Sequence, residues 1–218
     1  GQVRDAVQDA SVVFHLAAQV GVGASVTAPA DDARSNVVGT LRVLEGCRKA
    51  GSRIVFSSSS AVYGDAGDDG EPLAETVGTR PLAPYGMSKR SAEQYIMESG
   101  RWWGVCYAIL RYANVYGPGQ TVRGEGGVVA SFLERLRLRL PLVVHGDGEQ
   151  TRDFVHVDDV VAANLAAAAV PTGRSVLCNV GTGESTAIRQ LADWLEALGD
   201  VAVGRLYEPA RPGDIRRS

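Results

Sequence analysis

The sequence predicts an α/β fold around a doubly wound, parallel sheet. Three observations carry that expectation. Short apolar, β-rich runs alternate with helical patterns along the chain. Roughly 10 to 20 residues of helical pattern separate successive strands, the spacing of right-handed βαβ units. The runs end in small or polar residues (HLAAQ, SSSSAVYG, RYANVYGPG and NVGTG). Ligands of such sheets bind beyond the carboxyl ends of the strands, and these endings suit a pocket wall.

The elements follow in order. Val12 to Ala18, VVFHLAA, lacks alternation and predicts a strand buried on both faces. A helix is expected over Asp31 to Ala50, with Val37, Leu41, Val43 and Leu44 clustered on one side and Gly51 as the stop. Arg53 to Ser60, RIVFSSSS, is the second strand. A helix beginning at PYGMSK (Pro84 to Lys89) is expected to run to about Gly100. Val105 to Gly119 reads as a strand entering a loop, and Val128 to Leu140 as a helix ended by Pro141. Asp158 is expected to cap a helix ending near Pro171. Ser175 to Gly183 is a strand, and Ala187 to Leu198 a helix stopped by Gly199.

The composition is that of an ordinary globular protein, with 45% hydrophobic and 22% charged residues among 218. A net charge of −3 with no long basic cluster leaves no nucleic-acid footprint. The longest apolar stretch, Val160 to Val170, falls short of the roughly 20 residues that span a bilayer. Cys47, Cys106 and Cys178 are far apart and show no metal spacing, which fits a reducing cytoplasm. The chain opens at Gly1 with no preparatory segment and is expected to be a piece of a longer protein.

Within PYGMSK, Tyr85 and Lys89 stand at i and i+4, on one face of a helix. A tyrosine with an ordinary pKa of about 10 is a poor base at neutral pH. A nearby ammonium favours the phenolate, and a drop of about three pH units needs roughly 4 kcal/mol. A cationic cofactor beside the pair would supply part of it. Ser57 to Ser60 lie at a strand end upstream, where a hydroxyl can bridge a substrate oxygen and the phenol.

The chain resembles the extended short-chain dehydrogenases/reductases of the nucleotide-sugar epimerase/dehydratase family. The matching stretches are HLAAQ (15–19), SNVVGT (35–40), SSSSAVYG (57–64), PYGMSK (84–89), LRYANVYGP (110–118), HGDGEQTRDFVHVDD (145–159), NVGTG (179–183) and RPGD (211–214). They stand in family order over nearly the whole chain. The resemblance implies a Rossmann-like sheet, here without its N-terminal strands, and a small C-terminal substrate-binding domain. It also implies NAD as cofactor and a homodimer at full length. It divides the chain into a partial NAD-binding domain (1–112), a substrate-binding segment (113–153), a return to the first domain (154–180) and a partial substrate-binding domain (181–218).

The family's GxxGxxG loop is not found; GVGASV (21–26) fails the pattern at Ala24 and Val26. Truncation at both ends is therefore expected, as is poor NAD binding by this chain alone. Residues 1–5 resemble the end of the family's third strand, with Gln2 where an Asp is usual beside the adenine and Val3 next to it.

The resemblance implies these roles. Leu16, Ala17, Ala18 and Gln19 line the cofactor cleft, and Asn36 holds its helix near the nicotinamide ribose. Ser57 and Ser58 flank the nicotinamide, and Ala113 passes beside the cofactor. Ser59 is the catalytic serine and touches the substrate. Tyr85 is the base; Lys89 binds ribose and lowers the tyrosine pKa. Asn114 touches the sugar diphosphate, and Val128, Val143 and His145 are matched to substrate, the last two around the nucleotide base. Arg152 and Arg211 clamp the pyrophosphate, for which a planar guanidinium is suited. Asp214 binds the nucleotide ribose.

Family dehydratases resemble one another in carrying an acid just before Val-Tyr-Gly. Here those positions are Ser60 and Ala61, and Ala61 cannot move a proton. Epimerisation at C4 needs only Tyr85, hydride transfer and rotation of the 4-keto sugar. The expected function is a UDP-glucose/UDP-galactose 4-epimerase. UDP-glucuronate epimerases carry a similar serine run, so that substrate stays open. A dehydratase or reductase of the family would show a 4-keto-6-deoxy sugar or net NADPH consumption. A non-catalytic dinucleotide sensor would not need Ser59, Tyr85 and Lys89 together.

Overall fold

The computed structural model describes residues 2–65, 71–122, 127–211 and 213–218. Gly1 and Pro212, from the motifs above, lie outside the described residues.

Four strands form the main sheet: β1 (Val12–His15), β2 (Arg53–Ser59), β3 (Tyr107–Tyr112) and β8 (Val176–Val180). Their order is β1-β2-β3-β8, and all three pairings are parallel. Side chains alternate across a strand, so β2 and β3 serve two cores. Ile54, Phe56 and Ile109 face Leu44 and Cys47 of α4 (Gly39–Ala50) and Ala92 and Ile96 of α5 (Pro84–Trp103). Val55, Ala108 and Leu110 face Ala167 of α7 (Val157–Ala168) on the other side. Helices on both faces of one parallel sheet make the fold doubly wound, as the sequence predicts.

A second layer lies beyond the strand ends. It packs α6 (Val128–Arg137), α8 (Ile188–Leu198) and β5 (Leu142–His145) around Phe132, Leu142 and Val144. Short pairings stitch it together: β4 (Asn114–Tyr116) with β7 (Phe154–His156), β6 (Thr151–Arg152) with β9 (Thr186–Ala187), and β5 with β10 (Arg205–Glu208). Asp153 joins the layers. Its carboxylate accepts from Thr182 N at 3.0 Å, Thr182 Oγ1 at 2.7 Å and Gly183 N at 2.9 Å. Its backbone accepts from Asn114 N and donates to Ser218 O, each at 2.8 Å.

Several expectations change. Residues 2–7 are helix α1 (Gln2–Val7), not a strand end; Val3 is exposed. The strand from Val12 stops at His15, and Phe14 is 43% exposed because β1 is an edge strand among the described residues. The helix expected over 31–50 is present and starts two residues earlier: α3 (Pro29–Ala33) passes through one π-helical turn (Arg34–Val38) into α4 with helical dihedrals throughout. It closes as expected, with Gly51 in the left-handed region at φ 69°. The helix α2 (Val22–Thr27) occupies the glycine-rich stretch after β1. His156, not Asp158, caps α7, its ring accepting from Asp158 N at 3.3 Å. Asp158 and Asp159 instead sit in the first turn, where the helix dipole favours negative charge.

Candidate active site

Tyr85 is positioned by its helix start. Pro84 occupies the first turn, and Tyr85 N donates to Ser25 Oγ at 3.0 Å. Gly86 lets this start approach the β2 end: a Cβ there would lie 2.5 Å from Ala61 O. β2 ends in Ser59, whose side chain accepts from Ala61 N at 3.2 Å and caps a single 3₁₀ turn (Ser60–Val62). The Ser59 hydroxyl is close enough to the Tyr85 phenol to favour its ionised form. The chain segments that carry these two expected catalytic residues, 26 positions apart in sequence, therefore adjoin at the strand's carboxyl end.

Lys89, one turn further, is buried and donates to Ser57 O at 2.7 Å. Its ammonium lies 4.9 Å from the Phe56 ring centroid. Burial lowers its pKa to about 8, against the pull of Asp32 and Glu93. Burial raises that of Tyr85, while the Ser59 hydroxyl lowers it and Asp32 raises it. The net direction for Tyr85 is upward, because dehydration of the ring outweighs the influence of the Ser59 hydroxyl. A base at this position calls for further positive charge beside it.

The serines divide by strand geometry. Ser57 and Ser59 share one face of β2; Ser58 points to the other. Ser58 Oγ donates to Glu93 Oε1 at 2.5 Å, inside a buried network with Arg111, Tyr63 and Asn179. Its side chain is thus committed to Glu93, which leaves its backbone as the part that faces away from this network. Ser57 Oγ bonds His15 O at 3.1 Å, and its carbonyl faces Lys89.

Asn36 is 2% exposed and ties three elements together. Its Oδ1 accepts from Gln19 N at 2.8 Å, and its Nδ2 reaches Gln19 O, Asp32 Oδ1 and Ser88 Oγ at 2.9 to 3.0 Å. It thus fixes the loop after β1 against α5. Leu16 and Ala17, in that loop, are exposed, Ala18 is half-buried, and the Gln19 Oε1 atom is buried without a partner.

The remaining expected residues fall into two groups. Ala113 follows β3, with Ala113 N donating to Val180 O at 2.9 Å. With Ser60, Tyr63, Asn179 and Ser218 it lines a cavity of about 250 Å³, whose lining does not include Tyr85 or Lys89. In the second layer, β5 buries Leu142 and Val144, leaving Val143 and His145 together on its other face. His145 Nε2 lies 2.6 Å from Arg211 Nη2, which brings those two side chains together. Asn114 opens β4 and Val128 opens α6, where Val128 packs against the second core. Asp214 is exposed beyond Arg211. Arg152 is half-buried, donates to Thr151 O at 2.7 Å and pairs directly with no carboxylate among the described residues. Burial lowers its pKa, with Asp214 and Asp65 opposing. A dehydrated guanidinium with spare donors suits an anion.

Sequence reasoning missed Asp32, Glu93 and Arg111. Each had a signal: Asp32 stands four before Asn36, Glu93 four after Lys89, and Arg111 interrupts an apolar strand. Among the described residues no cluster of His, Cys, Asp or Glu is placed to hold a metal, and no helix is long and apolar enough to cross a membrane.

The site and sheet place the chain among known proteins. The model of the NAD dependent epimerase/dehydratase family matches residues 1–181. The UDP-glucose 4-epimerase of Mycolicibacterium smegmatis is 41% identical over 209 residues, covering 95% of this chain and 66% of that protein. The structure of the Thermus thermophilus UDP-glucose 4-epimerase in complex with NAD superposes with a TM-score of 0.92 at 37% identity, covering 99% of this chain and 71% of that one. That of the Bacillus cereus UDP-glucuronic acid 4-epimerase with UDP-glucuronic acid and NAD gives 0.92 at 28% identity, covering 100% and 68%. The chain spans about two thirds of the length of these proteins. It belongs to the NAD-dependent epimerase/dehydratase family, and NAD is that family's cofactor.

The residues present fit that cofactor. Lys89 has three N–H donors and the described residues take one, leaving two for a ribose diol. Leu16 and Ala17 are exposed in the loop that follows the carboxyl end of β1, the end of such strands where ligands bind.

Proposed function

We propose that this chain carries the catalytic centre of a nucleotide-sugar 4-epimerase acting on UDP-glucose and UDP-galactose. One observation carries the reading. The start of α5 with Tyr85 closes on the β2 end with Ser59, while the next two positions, Ser60 and Ala61, supply no acid. Ser60 Oγ is engaged instead with Ser218 Oγ at 3.1 Å. A site with one acid–base residue suits removal and return of a hydroxyl proton, and not elimination of water.

NAD, when bound, supplies the acceptor and donor of hydride. The chain supplies the rest. Ser59 bridges the sugar 4-hydroxyl and the phenol. Tyr85 takes that proton and gives it back after the sugar has turned. Lys89 holds the cofactor ribose and adds positive charge beside the ring. Arg152 and Arg211 bind the diphosphate, with His145 and Val143 around the base, Asn114 toward the sugar diphosphate and Asp214 at the nucleotide ribose. UDP-glucuronate is the second reading, supported by the serine run and by the likeness to the glucuronic acid epimerase.

The outward faces of the π turn and α5, with Val38, Met87 and Tyr95 exposed, support a homodimer at full length. Three free cysteines support a reducing, cytoplasmic setting.

The test is conversion of UDP-glucose, UDP-galactose and UDP-glucuronate by the full-length protein, followed by chromatography of the sugars. Interconversion of a C4 pair without net nicotinamide turnover is expected. A 4-keto-6-deoxy product or stoichiometric cofactor consumption would replace this reading with a dehydratase or reductase.

A further inference from the structure

Asp32 lies in the short helix α3 and is 1% exposed. Its Oδ1 accepts from Asn36 Nδ2 at 3.0 Å. Its Oδ2 is buried without a hydrogen-bond partner, and no cation pairs with it directly among the described residues. Burying a carboxylate so incompletely satisfied is costly unless a neighbour gains from its charge. Asn36 carries the connection onward. The same amide reaches Ser88 Oγ at 3.0 Å, and Ser88 lies on the turn of α5 between Tyr85 and Lys89. Lys89 is itself 2% exposed and has only a carbonyl as its direct partner. A buried ammonium without a paired acid thus sits near a buried acid without a paired cation.

We propose that Asp32 is a positioning residue of this site: its carboxylate is the counter-charge that holds Lys89 as an ammonium ion, and it steers the Asn36 amide toward the Tyr85–Lys89 turn. This rests on the reading of Tyr85 and Lys89 as the acid–base pair.

The charged and titratable neighbours of Lys89 leave Asp32 as the available counter-charge. His15, on β1, is buried and bonds Thr40 Oγ1 at 2.9 Å; burial and Lys89 lower its pKa to about 4, so it is neutral. Glu93, on α5, spends both oxygens on Arg111 and Ser58. Tyr85, one turn earlier on α5, brings no positive charge. Asp32 is the first influence that opposes the loss of the Lys89 proton on burial. The same charge works against the Tyr85 phenolate. Activity alone therefore mixes two opposed effects, and the lysine must be read directly.

The chain makes this possible because it has two lysines, Lys49 and Lys89. With ¹³Cε-labelled lysine, NMR gives two signals, and exposed Lys49 is the internal reference. The expected midpoint for Lys89 is near pH 8 in the wild type. In Asp32→Asn, which keeps an oxygen for Asn36 but no charge, the midpoint falls by about one pH unit, a tenfold loss of proton affinity. An unmoved midpoint overturns the proposal. Should Asp32→Asn not fold, Asp32→Ser is measured in its place with the same criterion. A shifted Lys89 in a protein whose full-length form epimerises no UDP-sugar would remove the proposed reaction and keep the coupling. An unshifted Lys89 in an active epimerase would remove the coupling alone.

Discussion

Arg111 and Glu93 meet through two hydrogen bonds, 2.9 Å from Nε to Oε1 and 2.7 Å from Nη2 to Oε2, with both side chains buried. Burial works against the Arg111 charge, but Glu93 and Tyr63 outweigh it and raise its pKa. The pair also receives Ser58 and, through Tyr63, Asn179, so it fastens β2, β3, β8 and α5. Glu93→Ala leaves a guanidinium buried without its partner. Such a loss costs about 3–5 kcal/mol. Urea denaturation of wild type and variant checks the size, and a difference below about 1 kcal/mol would show the pair to be dispensable.

Tyr85→Phe removes the proposed base and little else, since Tyr85 is held through its backbone N by Ser25. Turnover should fall by about 10²–10⁴-fold. UDP binding, measured by calorimetry, should stay within about threefold. Full turnover in the variant would show that the proton moves by another route.

His15 ties stability to pH. It is buried and neutral, with its pKa lowered to about 4. The unfolded chain takes up this proton near pH 6.5, before the folded one does. The contribution is therefore fully present above pH 6.5 and is lost as pH falls toward 4, to a total of about 3 kcal/mol. His15→Gln should flatten that part of the curve. Denaturation midpoints at pH 7 and pH 4.5 test it, and an equally steep fall in the variant would assign the acid sensitivity elsewhere.

Arg152→Met removes a dehydrated cation that has no paired carboxylate among the described residues. Loss of a charge-assisted bond to phosphate is worth about 1.5–3 kcal/mol, or about 10- to 150-fold in the Kd for UDP. Arg152→Lys should recover part of it, since it keeps the charge but not the planar fork. Unchanged UDP affinity in Arg152→Met would move the diphosphate away from this residue.

What the sequence revealed follows from what each signal depends on. The strands were legible because Ile54 to Phe56 and Ala108 to Leu110 are apolar on both faces, a local property. The closeness of the β2 end and the α5 start, which carry Ser59 and Tyr85, followed the motif order, although it joins two elements. Asn36 could be read as a surface residue, because its burial depends on Gln19, Asp32 and Ser88, which no periodicity links. The helix α1 was misread because six residues hold too little pattern to separate strand end from helix start. The direction of the Tyr85 shift was hidden as well, since dehydration by packing cannot be read from i, i+4 spacing.

Asp153 has a consequence beyond the bonds it makes. Through one residue, the loop at Thr182 and Gly183, the start of β4 at Asn114 and the chain at Ser218 share a common anchor. Any ångström by which that residue shifts is an ångström by which three walls shift together. A substitution at Asp153 would therefore be felt in all three segments at once. One carboxylate and its peptide thereby set the spacing of segments that lie up to 104 positions apart in sequence.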